Sequence, residues 1–240
     1  LVVVDTHKES YLAVPEIAEQ IEKKVIIDHH RRGPEFIEDS ILTYHEVYAS
    51  SASELVTELL MYIDDIKLTS KEAEVIYAGI LVDTKNFSFK TGVRTFEAAA
   101  YLRKVGLDIS EVKHIFKSDF ESYVAKVDTV KNAEFIDDRI AISVVTEAGN
   151  EDMAIIAAQS ADELLSITGI LASFVLCQID GVVMISGRSL GDINVQAILE
   201  KMGGGGHLTF AGAQLAGVSV EDAKERLLSV INEYLGKNQN

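Results

Sequence analysis

The chain has 240 residues, 48% of them apolar, with 38 acidic against 22 basic side chains and a formal charge of −16. That apolar share is ample for a core and excludes a disordered chain, and a single cysteine, Cys177, excludes an internal disulfide framework. Acidic groups outnumber basic ones 20 to 12 over residues 1–112 and 18 to 10 over 113–240, so neither half is a basic platform for long nucleic acid.

In chain order, Leu1–Val4 reads as an apolar strand that runs into Asp5-Thr6-His7. Pro15 and Glu16–Lys23 read as a helix with proline in its first turn, and Val25–Ile27 as a second strand ending in Asp28-His29-His30. Strand, crossover helix and strand make a βαβ unit of a parallel sheet. Helical spacing follows over Ser53–Ile63 (Leu55, Leu59, Leu60, Ile63) and over Ser70–Leu81 (Ala73, Ile76, Tyr77, Ile80), the latter leading into Val82-Asp83-Thr84. Thr95–Val105 is a further helix closed by Gly106.

Beyond Gly106 the pattern changes. Ile109–Thr129 is helical and charged and suits a connector. Ala133–Ile136 and Arg139–Thr146 read as strands around Asp137-Asp138, and Leu171–Gln178 with Val182–Arg188 as a hairpin around Asp180-Gly181. Met153–Ile167, Asn194–Met202 and Val220–Leu235 read as helices, with a short strand near Gln214–Val218. No run of apolar residues reaches the roughly 18–20 of a membrane span, and Leu1–Ser10 lacks the basic-then-apolar order of a signal peptide. Opening inside a strand, with Asp5 so near the start, leads to the expectation of further residues upstream of Leu1.

Asp5, Asp28-His29-His30 and Asp83 each follow an apolar run. Residues just past the carboxyl ends of parallel strands converge on one crevice, so the spacing places three carboxylates and two imidazoles around one point. Taken singly, a strand-end Asp also caps a helix or fixes a turn, and His29 and His30 also fit a polar sheet edge. Together they make a divalent metal site of N and O donors the better reading, since close carboxylates repel unless they share protons or cations. His7 reads equally as a neighbour of that crevice or as an exposed turn residue, while His45 and His114 have no supporting constellation.

The run Gly203-Gly204-Gly205-Gly206-His207 suits close approach of main-chain N–H groups to an anion, with a mobile loop as the alternative. It lacks both the Gly-x-Gly-x-x-Gly context of a dinucleotide fold and the lysine of a P-loop. Arg188, in Ser186-Gly187-Arg188-Ser189, reads either as a phosphate clamp or as a solvent-facing ion pair.

These motifs, in this order, resemble the DHH/DHHA1 phosphoesterase family over essentially the whole chain. Asp28-His29-His30 matches the name-giving triplet, Val4-Asp5-Thr6-His7 and Gly79–Thr84 are similar to the flanking Asp-bearing segments, and Gly203–Thr209 is similar to the glycine motif of the DHHA1 domain. With Phe87–Ala99 added, the chain looks most like the catalytic portion of bacterial membrane-bound cyclic-di-AMP phosphodiesterases. The resemblance implies an α/β fold: a parallel-sheet DHH domain over residues 1–112, incomplete at its N-terminus, a helical linker over 113–130, and a smaller mixed α/β DHHA1 domain over 131–240. It implies two divalent ions, Mn²⁺ by family habit, with Asp5 bridging them and His29 and Asp83 completing one site. It implies His30 as the group that faces the substrate phosphate, Asp28 as a residue that orients an imidazole, and Gly204, Gly205, His207 and Arg188 as the holders of the nucleotide's other end.

The implied reaction opens cyclic di-AMP to 5′-pApA, in a cytoplasmic catalytic portion whose parent reaches the membrane through upstream segments, as a homodimer. An oligoribonuclease, a 3′-phosphoadenosine phosphate phosphatase, or a non-catalytic nucleotide sensor are the other readings. The family's first motif, His-x-x-x-Asp-x-Asp, is not in residues 1–240 and is expected upstream.

Overall fold

The computed structural model describes residues 1–33, 35–146 and 153–237, which fall into two compact units, Leu1–Lys117 and Ser118–Asn240. In the first, β1 (Val2–Val4) is followed by a 3₁₀ turn at Glu9–Tyr11, α1 (Pro15–Gln20), β2 (Val25–Asp28) and β3 (Leu42–His45). The three strands are parallel in the order β1-β2-β3, with Val3 beside Ile26 and Asp28 beside His45. The strand β3 is absent from the sequence reading above. Its four residues are too few for a visible alternation, although Ile41-Leu42-Thr43-Tyr44 carries the β-branched and aromatic types that pleated surfaces favour.

Four helices complete this unit: α2 (Ala52–Met61), α3 (Ser70–Asp83), α4 (Val93–Val105) and α5 (Ile109–Ile115). Their starts follow from local chemistry. The Ser51 hydroxyl accepts from the Glu54 N–H, and Thr69 and Glu72 form a reciprocal capping box, satisfying N–H groups that a helix start leaves bare. Ala73, Ile80, Ala98, Leu102 and Leu107 are fully buried where α3, α4 and α5 meet, and each large one contributes about 1.5–3 kcal/mol through burial. Helix α3 also comes very close to α2. A Cβ on Gly79 would stand 2.2 Å from the Ser53 Oγ, so only glycine permits that approach.

The second unit opens with α6 (Phe120–Lys131), so the charged stretch after Gly106 is two helices rather than one, α5 packing on α3 and α6 on the next helix of its own unit. Then come β4 (Glu134–Ile136), β5 (Ile140–Val144), α7 (Met153–Leu164), β6 (Ala172–Ile179), β7 (Val182–Ser189), α8 (Val195–Glu200), β8 (Gly205–Gly206), β9 (Phe210–Ala216) and α9 (Val220–Lys237). The six-stranded sheet has the order β4-β5-β6-β7-β9-β8 and is antiparallel except for β5 with β6. That one parallel pair is joined by α7, as a crossover requires. Both faces are covered: Phe174, Leu176 and Ile185 pack with Leu227 and Ile231 of α9, whereas Val175 and Cys177 pack with Ile156, Ala157 and Leu164 of α7. Burial on two faces explains why Ala172–Cys177 is apolar almost without interruption.

Candidate metal centre

Strand β1 ends at Asp5, which takes a left-handed backbone (φ 64°) and donates its N–H to the Ile27 carbonyl at 2.9 Å. Non-glycine residues rarely adopt this region, and here it turns the carboxylate toward the end of β2. There, the His29 Nδ1–H donates to the Ala49 carbonyl at 3.3 Å. That bond fixes the tautomer and leaves Nε2 with its lone pair exposed. Nε2 lies 3.3 Å from Asp5 Oδ1 and 3.7 Å from Asp83 Oδ2. Close carboxylates facing an imidazole nitrogen repel unless they share a proton or a cation, and this set of N and O donors suits a divalent ion. Asp5, His29 and His30 offer ligand atoms within 4.8 Å of one another. Burial pushes the Asp83 carboxyl above its ordinary range; His29 opposes the rise and Asp5 adds to it.

The structure corrects the placement of Asp83. It is the last residue of α3, not the residue after a strand. The apolar run Ile76–Val82 belongs to a helix whose C-terminal end points at the sheet's carboxyl edge. The residue meets His29 as expected, by a different route.

Asp28 is the hub of a second arrangement. It is fully buried, and its Oδ1 accepts from the N–H groups of His29 (2.9 Å) and His30 (3.2 Å) and from His30 Nδ1 at 2.7 Å. Its Oδ2 accepts from His7 Nδ1. Burial alone would raise this carboxyl, but the hydrogen bonds from His30 and His7 outweigh it and hold Asp28 well below the usual carboxylate range. The same bond raises the His30 imidazole above its ordinary value, against the opposing effect of burial.

His7 and His45 are the residues that sequence reasoning undervalued. His7 is buried, and with Nδ1–H given to Asp28 its Nε2 accepts the Gly33 N–H at 3.4 Å. His45, assigned no role from sequence, donates Nε2–H to the His30 carbonyl at 2.5 Å, lies 3.9 Å from Asp28 Oδ2, and sets its ring 5.2 Å from that of His7. The β2–β3 register puts it there. His7, Asp28 and His45 form a second group with metal-ligand spacing, so two candidate metal sites exist among the described residues.

In the second unit, Gly205–Gly206 is not a free loop but the edge strand β8, paired with Gly212 and Ala211 of β9. The N–H groups of Gly203, Gly204 and His207 are bound to Glu200, Leu199 and Phe210 carbonyls. Three of the N–H groups expected to cradle an anion are therefore committed within the unit. His207 is exposed, its ring 4.6 Å from that of Phe210. Arg188 places Nε 3.3 Å from Asp162 and Nη1 3.0 Å from the Gly187 carbonyl, leaving Nη2 uncommitted among the described residues.

Residues 1–80 match the family model described as "DHH family, N-terminal domain", and residues 137–237 match the DHHA1 domain. The chain belongs to the DHH/DHHA1 family. Asp28-His29-His30 is thus the triplet of a DHH domain, and β5 to α9 fall in its DHHA1 partner. Among curated relatives, the chain is 48% identical over 238 residues to the cyclic-di-AMP phosphodiesterase GdpP of Bacillus subtilis and 45% identical over 239 residues to the cyclic-di-AMP phosphodiesterase PdeA of Listeria monocytogenes. Each alignment covers 98% of this chain but 36% of the relative, so the chain spans about a third of the length of the proteins it matches. Among solved structures, an exopolyphosphatase-related protein from Bacteroides fragilis superposes with a TM-score of 0.81 at 20% identity, over 98% of this chain and 70% of that one; this is a likeness of fold. Among the described residues, no helix is long and apolar enough to cross a membrane.

Proposed function

We propose that this chain is the phosphodiesterase portion of a protein that hydrolyses cyclic di-AMP to 5′-pApA with divalent metal ions; the N/O donor set suits Mn²⁺, Mg²⁺ or Zn²⁺, and the resemblance to the DHH/DHHA1 family favours Mn²⁺. The observation that carries the reading is the His29 Nε2 lone pair facing Asp5 and Asp83; the near-half identity to GdpP and PdeA supports the substrate. Asp5, His29 and Asp83 would hold metal. Bound ions would supply positive charge at the scissile phosphate and ease deprotonation of the attacking water.

The chain's own groups account for the rest. His30 is half exposed and its Nδ1–H is tied to Asp28, so Nε2 is the atom that would carry a proton to the leaving 3′ oxygen as the P–O bond breaks. Asp28 holds that ring in one tautomer, and His7 and His45 hold Asp28 and the main chain of His30. The two oxygens of Asp28 are already engaged by hydrogen bonds, which favours an orienting role for the His7–Asp28–His45 group. On the second unit, Gly205, His207 and Arg188 would take the nucleotide's far end, His207 by its exposed ring and Arg188 by Nη2, whereas the Gly204 N–H is already bound to the Leu199 carbonyl. We further infer that the chain serves as the cytoplasmic portion of a longer, membrane-associated protein; the third of its relatives' length that it spans supports the greater length.

The test is hydrolysis of cyclic di-AMP by the full-length protein with Mn²⁺, followed by chromatography. Formation of 5′-pApA that His29→Ala abolishes supports the reading. Tight nucleotide binding without turnover would replace it with a sensor.

A further inference from the structure

Three cations sit on the turns that carry the candidate metal centre. Lys8 follows His7, and Arg31 and Arg32 follow His30. Lys71, Arg94, Arg139, Arg188, Lys201 and Lys224 form ion pairs, whereas Lys67, Lys113 and other surface cations form none among the described residues. Lys8, Arg31 and Arg32 form none among the described residues, although Glu9 and Glu35 are close in sequence. Two of them rest on aromatic rings instead. The Arg32 guanidinium carbon lies 3.8 Å from the Phe36 ring centroid, and Lys8 Nζ lies 4.9 Å from that of Tyr11. Lys8 also reaches the turn that holds Arg32, since its Nζ stands 3.9 Å from where a Cβ on Gly33 would be.

A ring seat restrains a long side chain without consuming its N–H donors. Two cations side by side can hold an anion at contact even in a chain of charge −16, because short-range contacts outweigh long-range repulsion. Their place matters as much as their charge. Lys8 is three residues past Asp5, and Arg32 is two past His30, so both are carried on the turns that also carry groups proposed to take the scissile phosphate.

We propose that Lys8 and Arg32 form a subsite for the second, non-scissile phosphate of a dinucleotide. The proposal rests on the phosphodiesterase reading and extends it to substrate choice: a compound with one phosphate has nothing to place there, whereas a cyclic or linear dinucleotide carrying two has. Arg32 would engage phosphate oxygens through its N–H edge and Lys8 as a point charge.

The experiment uses the full-length protein with Mn²⁺ and compares cyclic di-AMP with bis(p-nitrophenyl) phosphate, which has one phosphate. Lys8→Met and Arg32→Gln are each expected to lower the ratio of the two kcat/KM values about tenfold, mainly through KM for cyclic di-AMP, with partial recovery in Arg32→Lys. Affinity for cyclic di-AMP, measured by calorimetry with a non-catalytic divalent ion, should fall by a similar factor and lose part of its salt dependence. Equal losses on both substrates, or unchanged affinity, overturn the subsite. If the parent protein hydrolyses neither substrate, the phosphodiesterase reading fails, and the affinity series still decides the subsite.

Discussion

His29 and Asp83 approach to 3.7 Å from elements of different kind, one at the end of a parallel strand and the other at the C-terminus of a helix. A carboxylate at a helix C-terminus faces the negative end of the helix dipole, is half-buried, and is pushed toward its neutral form. Such a position is unfavourable for an isolated Asp and favourable for one that shares a cation. Asp83→Ala and His29→Ala are therefore expected to lower bound metal per chain, read by elemental analysis, while the thermal midpoint of the metal-free Asp83 variant stays the same or rises; that of the His29 variant falls, because a buried ring bonded to the Ala49 carbonyl is lost. Unchanged metal content in the Asp83 variant would remove that residue from the centre.

Asp28 contributes to how stability depends on pH. Its carboxyl sits well below the ordinary range in the folded protein, against about 3.9 in an unfolded chain. A depressed folded value contributes stability above the unfolded value and loses it as the pH falls through the folded one. The metal-free protein should thus lose stability progressively below about pH 4. Asp28→Asn should unfold more easily at pH 7, by about 2–4 kcal/mol because His7 and His30 lose a buried charged acceptor, and should show a flatter response between pH 5 and 3. Urea midpoints with chelator present measure both. A parallel shift of the two proteins across that range would assign the acid response to other groups.

The parts of the centre that sequence makes visible are those that short-range pattern encodes. Asp5 and the 28–30 triplet follow compact apolar runs, and their strands form as expected, as do the β4–β5 and β6–β7 pairs around Asp137-Asp138 and Asp180-Gly181, whose aspartates all take left-handed backbone. Other features depend on contacts distant in sequence. His45 becomes part of the network only because β3, four residues long, pairs in register with β2, and a four-residue strand has too little periodicity to announce itself. Asp83 reads as a strand end because a helix end and a strand end both finish an apolar run. The glycine run suits an N–H cradle by composition, whereas pairing with β9, a tertiary event, engages Gly205–Gly206 as an edge strand.

Gly79 offers a test of the packing that positions Asp83, one helical turn further along α3. Alanine is the better helix former by about 1 kcal/mol, so on propensity alone Gly79→Ala would stabilise. The added methyl would meet Ser53 Oγ at 2.2 Å and Ser53 Cβ at 3.2 Å, and overpacking of this kind costs about 1–3 kcal/mol. The net expectation is destabilisation, with a loss of metal affinity as α3 is displaced from α2. The double change Gly79→Ala with Ser53→Gly should restore both. A single variant at least as stable as the parent would show that the helices separate at no cost.

The glycines of 203–206 should separate cleanly in a substitution series, because the structure gives them different work. A Cβ on Gly204 would stand 2.2 Å from the Gly212 carbonyl oxygen, and one on Gly206 2.5 Å from the Phe210 carbonyl oxygen, in a residue whose φ of 148° already suits glycine. Both clashes are with backbone, which cannot rotate away, so Gly204→Ala and Gly206→Ala should each cost about 1–3 kcal/mol or more and loosen the β8–β9 edge. Gly205 faces open space, so Gly205→Ala should leave the thermal midpoint within about a degree or two. That makes Gly205 the informative position for function. If this edge receives a nucleotide, Gly205→Ala should weaken cyclic di-AMP binding several-fold with the fold intact, whereas the losses in the other two variants would follow their stability. Undiminished affinity in Gly205→Ala, together with undiminished affinity in His207→Ala, would take the glycine edge out of the binding surface and leave it as the close packing of two strands.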